Sequence, residues 1–163
     1  MKIAVHICSF NGDKYKERFI FLKKIVKNYF EINKNIEIFI HTNKVSKKHK
    51  IKKVKYIVHG LRNENPFYLA WKCRPIIEKQ KNQYDYFVYS EDDILFSKKN
   101  FSFWLKHKAL CIENNYNLGF LRIEDKNKKQ FSTDLIDNIK YKIKINQKKF
   151  VVNNVNNYCA LWI

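Results

Sequence analysis

The sequence predicts an α/β protein built on a mostly parallel sheet with helices on both faces. Three observations carry that expectation. Apolar runs such as KIAVHICSF and YDYFVYS are continuous rather than alternating, which is what strands covered on both sides require. Between them lie segments whose apolar residues recur at helical spacing. The resulting order of strand, helix, strand, strand, helix, strand, helix, strand is the one a parallel sheet with crossover helices produces.

KIAVHICSF reads as the first strand, and Asn11-Gly12-Asp13 turns it into DKYKERFIFLKKIVKNYF, where Tyr15, Phe19, Leu22, Val26 and Tyr29 form one helical stripe. Asp13 is a suitable N-cap for that helix. NIEIFIHTN is the second strand and, after a Lys-rich loop over 44–53, VKYIVHG the third. Asn65 before Pro66 marks a helix start, because proline is preorganised for the first helical position and asparagine accepts orphan amide protons. The helix PFYLAWKCRPIIEKQKNQ follows, with a bend expected near Pro75, which lacks a donor and disfavours helical Arg74. YDYFVYS is the fourth strand. Ser97 or Asn100 then caps a helix whose stripe is Phe101, Trp104, Leu105 and Ile112. NLGFLRIED reads as a fifth strand, residues 135–139 as an amphipathic segment, KYKIKI as a half-exposed strand and YCALWI as an apolar strand-like end.

At 163 residues, with no repeat, three Gly and two Pro, the chain is expected to be one domain, 1–163. The end on YCALWI suggests either a minimal domain or one truncated at its C-terminus. No uncharged run approaches the roughly 18 residues that span a bilayer, and MKIAVHICSF reads as a strand rather than a secretory signal. Cys8, Cys73, Cys111 and Cys159 form no CxxC pair, so buried free thiols in a reducing, cytoplasmic setting are expected. The net charge of +18 favours anionic partners, including peripheral association with an anionic membrane. Only four of the 33 basic residues are Arg (Arg18, Arg62, Arg74, Arg122), and Lys scattered over solvated faces is a simpler reading than a shaped nucleic-acid groove; no specific nucleic-acid partner is expected.

Against that basic background, YDYFVYSEDDILFS places Glu91, Asp92 and Asp93 directly after the fourth strand. In a parallel sheet, ligands bind outside the carboxyl ends of the strands, where this triplet falls. Three adjacent carboxylates repel one another unless a cation intervenes, and Mn²⁺ or Mg²⁺ typically takes one or two carboxylates and completes its shell with substrate phosphates. The bland alternative is an acidic turn that caps the next helix, worth about 0.3–1 kcal/mol.

FVYSEDDILF resembles the DxD-type motif of GT-A glycosyltransferases in an EDD form, and NPFYLAWKCRPIIEKQKNQYDYFVYSEDDILF with FSFWLKHK and GFLRIED is similar to a group of small GT-A-like sugar transferases. The resemblance runs from KIAVHICSF to about Asp125. It implies a metal-dependent hexosyltransferase-type glycosyltransferase that moves a sugar from a nucleotide-sugar donor to a glycan or lipid-linked acceptor. It further implies that Asp93, with Glu91, is the ligand of Mn²⁺ or Mg²⁺, and that Glu91 or Asp92 faces the ribose or holds a metal-bound water. Ser9, Phe10 and Asn11 would seat the base, His41 and Thr42 would border the same crevice, and Lys72 and Arg74 would reach the donor phosphates. Glu124 and Asp125 are the candidate catalytic carboxylates if transfer inverts, Glu124 being preferred; an ion pair of Glu124 with Arg122 or a neighbouring Lys is the alternative, and the sequence leaves inverting and retaining chemistry both open. His6, in an apolar strand, reads as a core histidine, and His59 and His107 have no partner at metal spacing.

No GxxxxGK[ST], GxGxxG or GxSxG occurs, which removes support from P-loop, Rossmann redox and hydrolase-elbow chemistry. Three rivals remain: a basic nucleic-acid-binding module using aromatics among Lys, as in KYKIKINQKKF, a metal-dependent nuclease or phosphotransferase, and a catalytically degenerate transferase-fold protein.

Overall fold

The computed structural model describes residues 1–12, 15–61, 65–127, 129–132, 141–152 and 161–163. Two compact units divide the chain, one of Met1–Lys98 with Ala160–Ile163, the other of Lys99–Cys159.

The first unit is α/β. Its strands are β1 (Ile3–Cys8), β2 (Ile36–Thr42), β3 (Lys55–Val58) and β4 (Tyr86–Glu91), joined by helices α1 (Tyr15–Ile32) and α2 (Leu69–Gln80). These four strands are mutually parallel in the order β3-β2-β1-β4, as the continuous apolar runs require. A short terminal strand, Leu161–Trp162, adds antiparallel to the β4 edge, matching the strand-like end expected there.

Side-chain alternation shows that the helices cover opposite faces. Ile7 and Ser90 are register partners on one face, the face on which the buried Tyr29 side chain of α1 comes near Ser90. That face is aliphatic, with Ile3, Val5, Ile7, Ile38, Ile40 and Val88 meeting Leu22, Ile25 and Val26 of α1 in the core. Cys8 and Tyr89 point the other way and pack with Leu69, Cys73 and Ile77 of α2. The expected α1 stripe is confirmed at Phe19, Leu22, Val26 and Tyr29, all buried, whereas Asp13 as its cap lies outside the described residues and the Tyr15 side chain is not described.

Asn65 caps a 3-10 turn, Pro66–Tyr68, that leads into α2: its Oδ1 accepts from the Phe67 N–H at 3.0 Å. Pro75 lies within α2, which runs through it from Leu69 to Gln80.

The second unit holds most of α3 (Lys98–Glu113) and two ribbons, β5–β6 (Ile123–Lys126 with Lys129–Ser132) and β7–β8 (Tyr141–Ile145 with Lys148–Val152). The first residue of α3, Lys98, puts Ser97 at the N-cap position. Its buried residues are Phe101, His107 and Cys111; Ile112, expected on the stripe, is exposed and Cys111 takes its place. The fifth strand also departs from expectation. It spans Ile123–Lys126 alone and pairs antiparallel with β6, outside the main sheet. Ile123 is the only apolar residue among those four, and a strand buried on both faces needs a continuous apolar run. KYKIKI forms β7 as expected, with Ile145 buried and Lys142 and Lys144 exposed. The amphipathic segment expected at 135–139 lies outside the described residues.

Cys8, Cys73 and Cys111 are buried free thiols, as expected, while Cys159 lies outside the described residues. Among the described residues no helix is long and apolar enough to cross a membrane.

Candidate functional site at the carboxyl edge of the sheet

β1 is the strand at which the winding reverses. The chain moves from it through α1 to β2 and on to β3, then returns through α2 to β4 on its other side. A reversal of this kind leaves a crevice outside the carboxyl ends of the two strands that flank it, here β1 and β4. The segments at that edge are Ser9–Gly12, Thr42–Lys44 and Glu91–Asp93.

The first two segments brace each other. The Ser9 N–H donates to the His41 carbonyl at 2.9 Å, and the Asn11 N–H donates to Asn43 Oδ1 at 2.7 Å. Asn43 Nδ2 donates back to the Asn11 carbonyl, and Asn11 Nδ2 and Thr42 Oγ1 both donate to the Lys44 carbonyl. Gly12 closes the turn tightly: a Cβ there would stand 2.8 Å from the Phe10 ring. Asn11 and Thr42 thereby spend much of their hydrogen-bonding capacity on the fold, while the half-buried Phe10 packs against Cys8, Leu69 and Cys73.

The three acids do not share one environment. Asp92 is 1% exposed, accepts from Ser9 Oγ at 2.7 Å through Oδ2, and pairs through Oδ1 with Nη2 of Arg18 from α1. Burial pushes its carboxyl above the usual range, against the opposing pull of the Ser9 hydroxyl and Arg18. Glu91, the last residue of β4 and the register partner of Cys8, belongs to the α2 face, where Oε1 accepts from the Tyr89 hydroxyl at 3.4 Å. Asp93 sits in the turn after the strand, 55% exposed, with Oδ2 3.8 Å from Arg18. Mutual repulsion, the premise for expecting a shared cation, is therefore relieved in part by the chain itself, with Arg18 answering Asp92 and alternation separating Glu91 from it.

Among the described residues no three His, Cys, Asp or Glu side chains form a ready cage for a metal. Asp93 is the acid of the three most open to solvent at this edge, while Glu91 lies on the α2 face; Mg²⁺-type ions are commonly held by one or two carboxylates plus the substrate's phosphates, so Asp93 alone offers the minimum such a mode needs. Asp92, already occupied, is left out of that mode.

The other expected site residues are dispersed. His41 is fully buried within a chain of imidazoles: His6 Nδ1 lies 2.9 Å from His41 Nε2, and His41 Nδ1 lies 2.8 Å from His59 Nε2. His6 is thus a core histidine as expected, and His59, for which the sequence offered no partner, has one in His41. Burial holds His6 down to about 4 and His41 to about 3, the latter helped by the neighbouring rings. Lys72 and Arg74 are exposed residues of α2, and the Arg74 guanidinium lies over the Trp71 ring, 3.9 Å from its centroid. Glu124 and Asp125 belong to the second unit, both exposed on β5, opposite Phe131 and Gln130. Sequence reasoning missed Arg18. Its signal was scarcity, one of four Arg in the chain, at the first turn of the helix after the β1 loop. No family model, curated protein or solved structure matches this chain.

Proposed function

We propose that the chain is a metal-dependent glycosyltransferase of GT-A-like fold, taking a nucleotide-sugar donor and a glycan or lipid-linked acceptor. The observation that carries the reading is Asp93: a half-exposed carboxylate at the carboxyl end of β4, beside the strand where the winding reverses, on a turn fixed from below by the Asp92–Ser9–Arg18 contacts. In this reading Asp92 is a positioning residue that holds the acidic turn against the β1 loop, while Asp93 and Glu91 hold Mn²⁺ or Mg²⁺. The ion supplies neutralisation of charge on the departing nucleoside diphosphate. Phe10 offers a ring face to the base, and Arg18, 3.8 Å from Asp93, sets the orientation of that carboxylate. Glu124 and Asp125 remain the candidate base for an inverting transfer.

Thermal shift with UDP- and GDP-sugars, with and without Mn²⁺, tests the reading on wild type and Asp93→Ala. Ligand at about 100 times its Kd adds about 2.7 kcal/mol of stability. That gain is expected only when both the ion and Asp93 are present; equal gains in the variant would remove Asp93 from the site.

A second reading has its own observation. On the β7–β8 ribbon Lys144 stands directly opposite Lys149, with Lys142 and Lys148 also exposed, and like charges facing across strands are unfavourable unless an anion is shared. A nucleic-acid strand would satisfy that ribbon, and a steep salt dependence of oligonucleotide binding, indifferent to manganese, is its signature.

A further inference from the structure

The start of α2 exposes what a monomer ordinarily hides. Phe67 is 79% exposed, Trp71 59% and Tyr68 54%, although the helix packs on the sheet through Leu69, Cys73 and Ile77 and needs none of the three for its core. Trp71 stands four residues after Phe67 and three after Tyr68, the spacings at which both precede it as neighbours on the helix start. Their presentation is rigid: Asn65 caps the turn through the Phe67 N–H, the Tyr68 N–H donates to the Asn65 carbonyl at 2.9 Å, and Pro66 fixes the backbone between them.

Charge accompanies the rings. Arg74 lies over Trp71, which combines a cation and an indole in one unit. Lys72 and Lys79 are exposed on the same helix, and its single acid, Glu78, is paired with Lys81 at 2.6 Å. An aromatic cluster with Arg over one of its rings and exposed Lys farther along the same helix matches a surface that is apolar just below a layer of phosphates. The whole chain, at +18, is attracted to the same sign of surface.

We infer that Phe67, Tyr68, Trp71 and Arg74 form a docking face for an anionic lipid bilayer, the rings entering the headgroup layer and Arg74 meeting lipid phosphate. The turn follows β3, so this face stands at the carboxyl edge of the sheet, the edge that carries Ser9, Asn11 and Asp93. Docking there brings that edge to the membrane surface. The inference does not depend on the transferase reading, because vesicle binding needs neither nucleotide nor metal.

The full chain is sedimented with phosphatidylcholine vesicles and with mixed phosphatidylcholine and phosphatidylserine vesicles. Binding to the mixed vesicles is expected, with weak binding to the neutral ones. Phe67→Ala combined with Trp71→Ala should lower partitioning by about tenfold or more, and Arg74→Ala by a smaller factor, since stable attachment takes an apolar and an electrostatic contribution together. An unchanged thermal midpoint verifies folding of these surface variants. Three outcomes overturn the inference: no binding to the mixed vesicles; equal binding by the aromatic double variant, with loss instead on Lys47→Glu and Lys48→Glu in the basic loop; or capture of a soluble oligosaccharide that depends on Trp71 while vesicles are ignored, which assigns the rings to sugar stacking.

Discussion

Acidification from about pH 8 to about pH 5 should weaken the first unit through the buried imidazoles, with the raised Asp92 carboxyl acting in the opposite sense. His6 and His41 are fully buried, with pKa values held down to about 4 and about 3, from an ordinary 6.5. Their depressed values mean that the unfolded chain binds more protons than the native one. The stability they contribute is fully present above 6.5 and is lost as pH falls toward 4 and then 3. At about pH 5 each unfolded imidazole is almost wholly protonated while each native one stays neutral, a difference of about 1.5 units, or about 2 kcal/mol per histidine. Together that is about 4 kcal/mol from a total typically of about 5–15.

Burial sets the resistance to charging, and hydrogen-bond counting limits the chain of rings to one added proton. Three imidazoles have six nitrogens, and each of the two N···N contacts has room for one proton, so four protons fill the chain. Three neutral rings already hold three. One extra proton is compatible with both contacts, and a second must break one of them. At the inner end, His6 Nε2 and Gln80 Oε1 are both buried without a hydrogen-bond partner, although Gln80 is close enough to raise the His6 value somewhat against burial. Urea denaturation followed by circular dichroism at half-unit pH intervals measures the effect. The midpoint should start to fall below about pH 7 and decline steadily to about pH 5, and a His6→Leu/His41→Leu double variant should lose most of that slope. Stability that is flat to about pH 4.5 and falls only where carboxylates protonate would refute the reasoning.

Two further variants test a support of the candidate site and the helix α2. Arg18→Met leaves the buried Asp92 carboxylate with Ser9 alone and should cost about 1–3 kcal/mol, discounted for the partial exposure of Arg18, in urea denaturation near neutral pH; an unchanged midpoint would show that the ion pair contributes nothing. Pro75→Ala restores a backbone donor inside α2 at an exposed position, and the gain should be up to about 3 kcal/mol in the same assay; a loss would mean that Pro75 is adapted to this helix by contacts that alanine cannot replace.

The first unit was legible in the sequence because its signals are local and strong. Apolar and β-branched runs placed β1, β2 and β4, the short VKYIVHG placed β3, and Asn65-Pro66 placed the start of α2, since the Asn side chain and the Pro ring act within three residues. The second unit was less so. NLGFLRIED has enough apolar residues to resemble a core strand, but they cluster before Arg122, and the four residues that do form β5 are mostly charged. The β7–β8 hairpin turns at Asn146 and Gln147, with φ of 43° and 64°, a two-residue turn that usually announces itself as Asn-Gly. The histidine chain was hidden for another reason. His6, His41 and His59 are 35 and 18 residues apart, and only parallel register brings Cys8 opposite His41 and His41 opposite Ile57, stacking the three rings on one face.

That same register accounts for a run of three acids in so basic a chain. Consecutive residues at a strand's end leave on opposite faces, so adjacent carboxylates need not act as one group. Glu91 goes with Cys8 and Tyr89 toward α2; Asp92 goes with Ser9 toward α1, where Arg18 meets it; Asp93, past the last ladder pair, faces outward. Buried charge is tolerated only when paired and hydrogen-bonded, and Asp92 has both kinds of partner. Its position fixes the turn, and a fixed turn holds Asp93 in one place at the open edge, with Arg18 3.8 Å away. A carboxylate presented in this way would lose little conformational freedom on meeting a cation, which is what the proposed metal role of Asp93 requires of the acid spent on structure beside it.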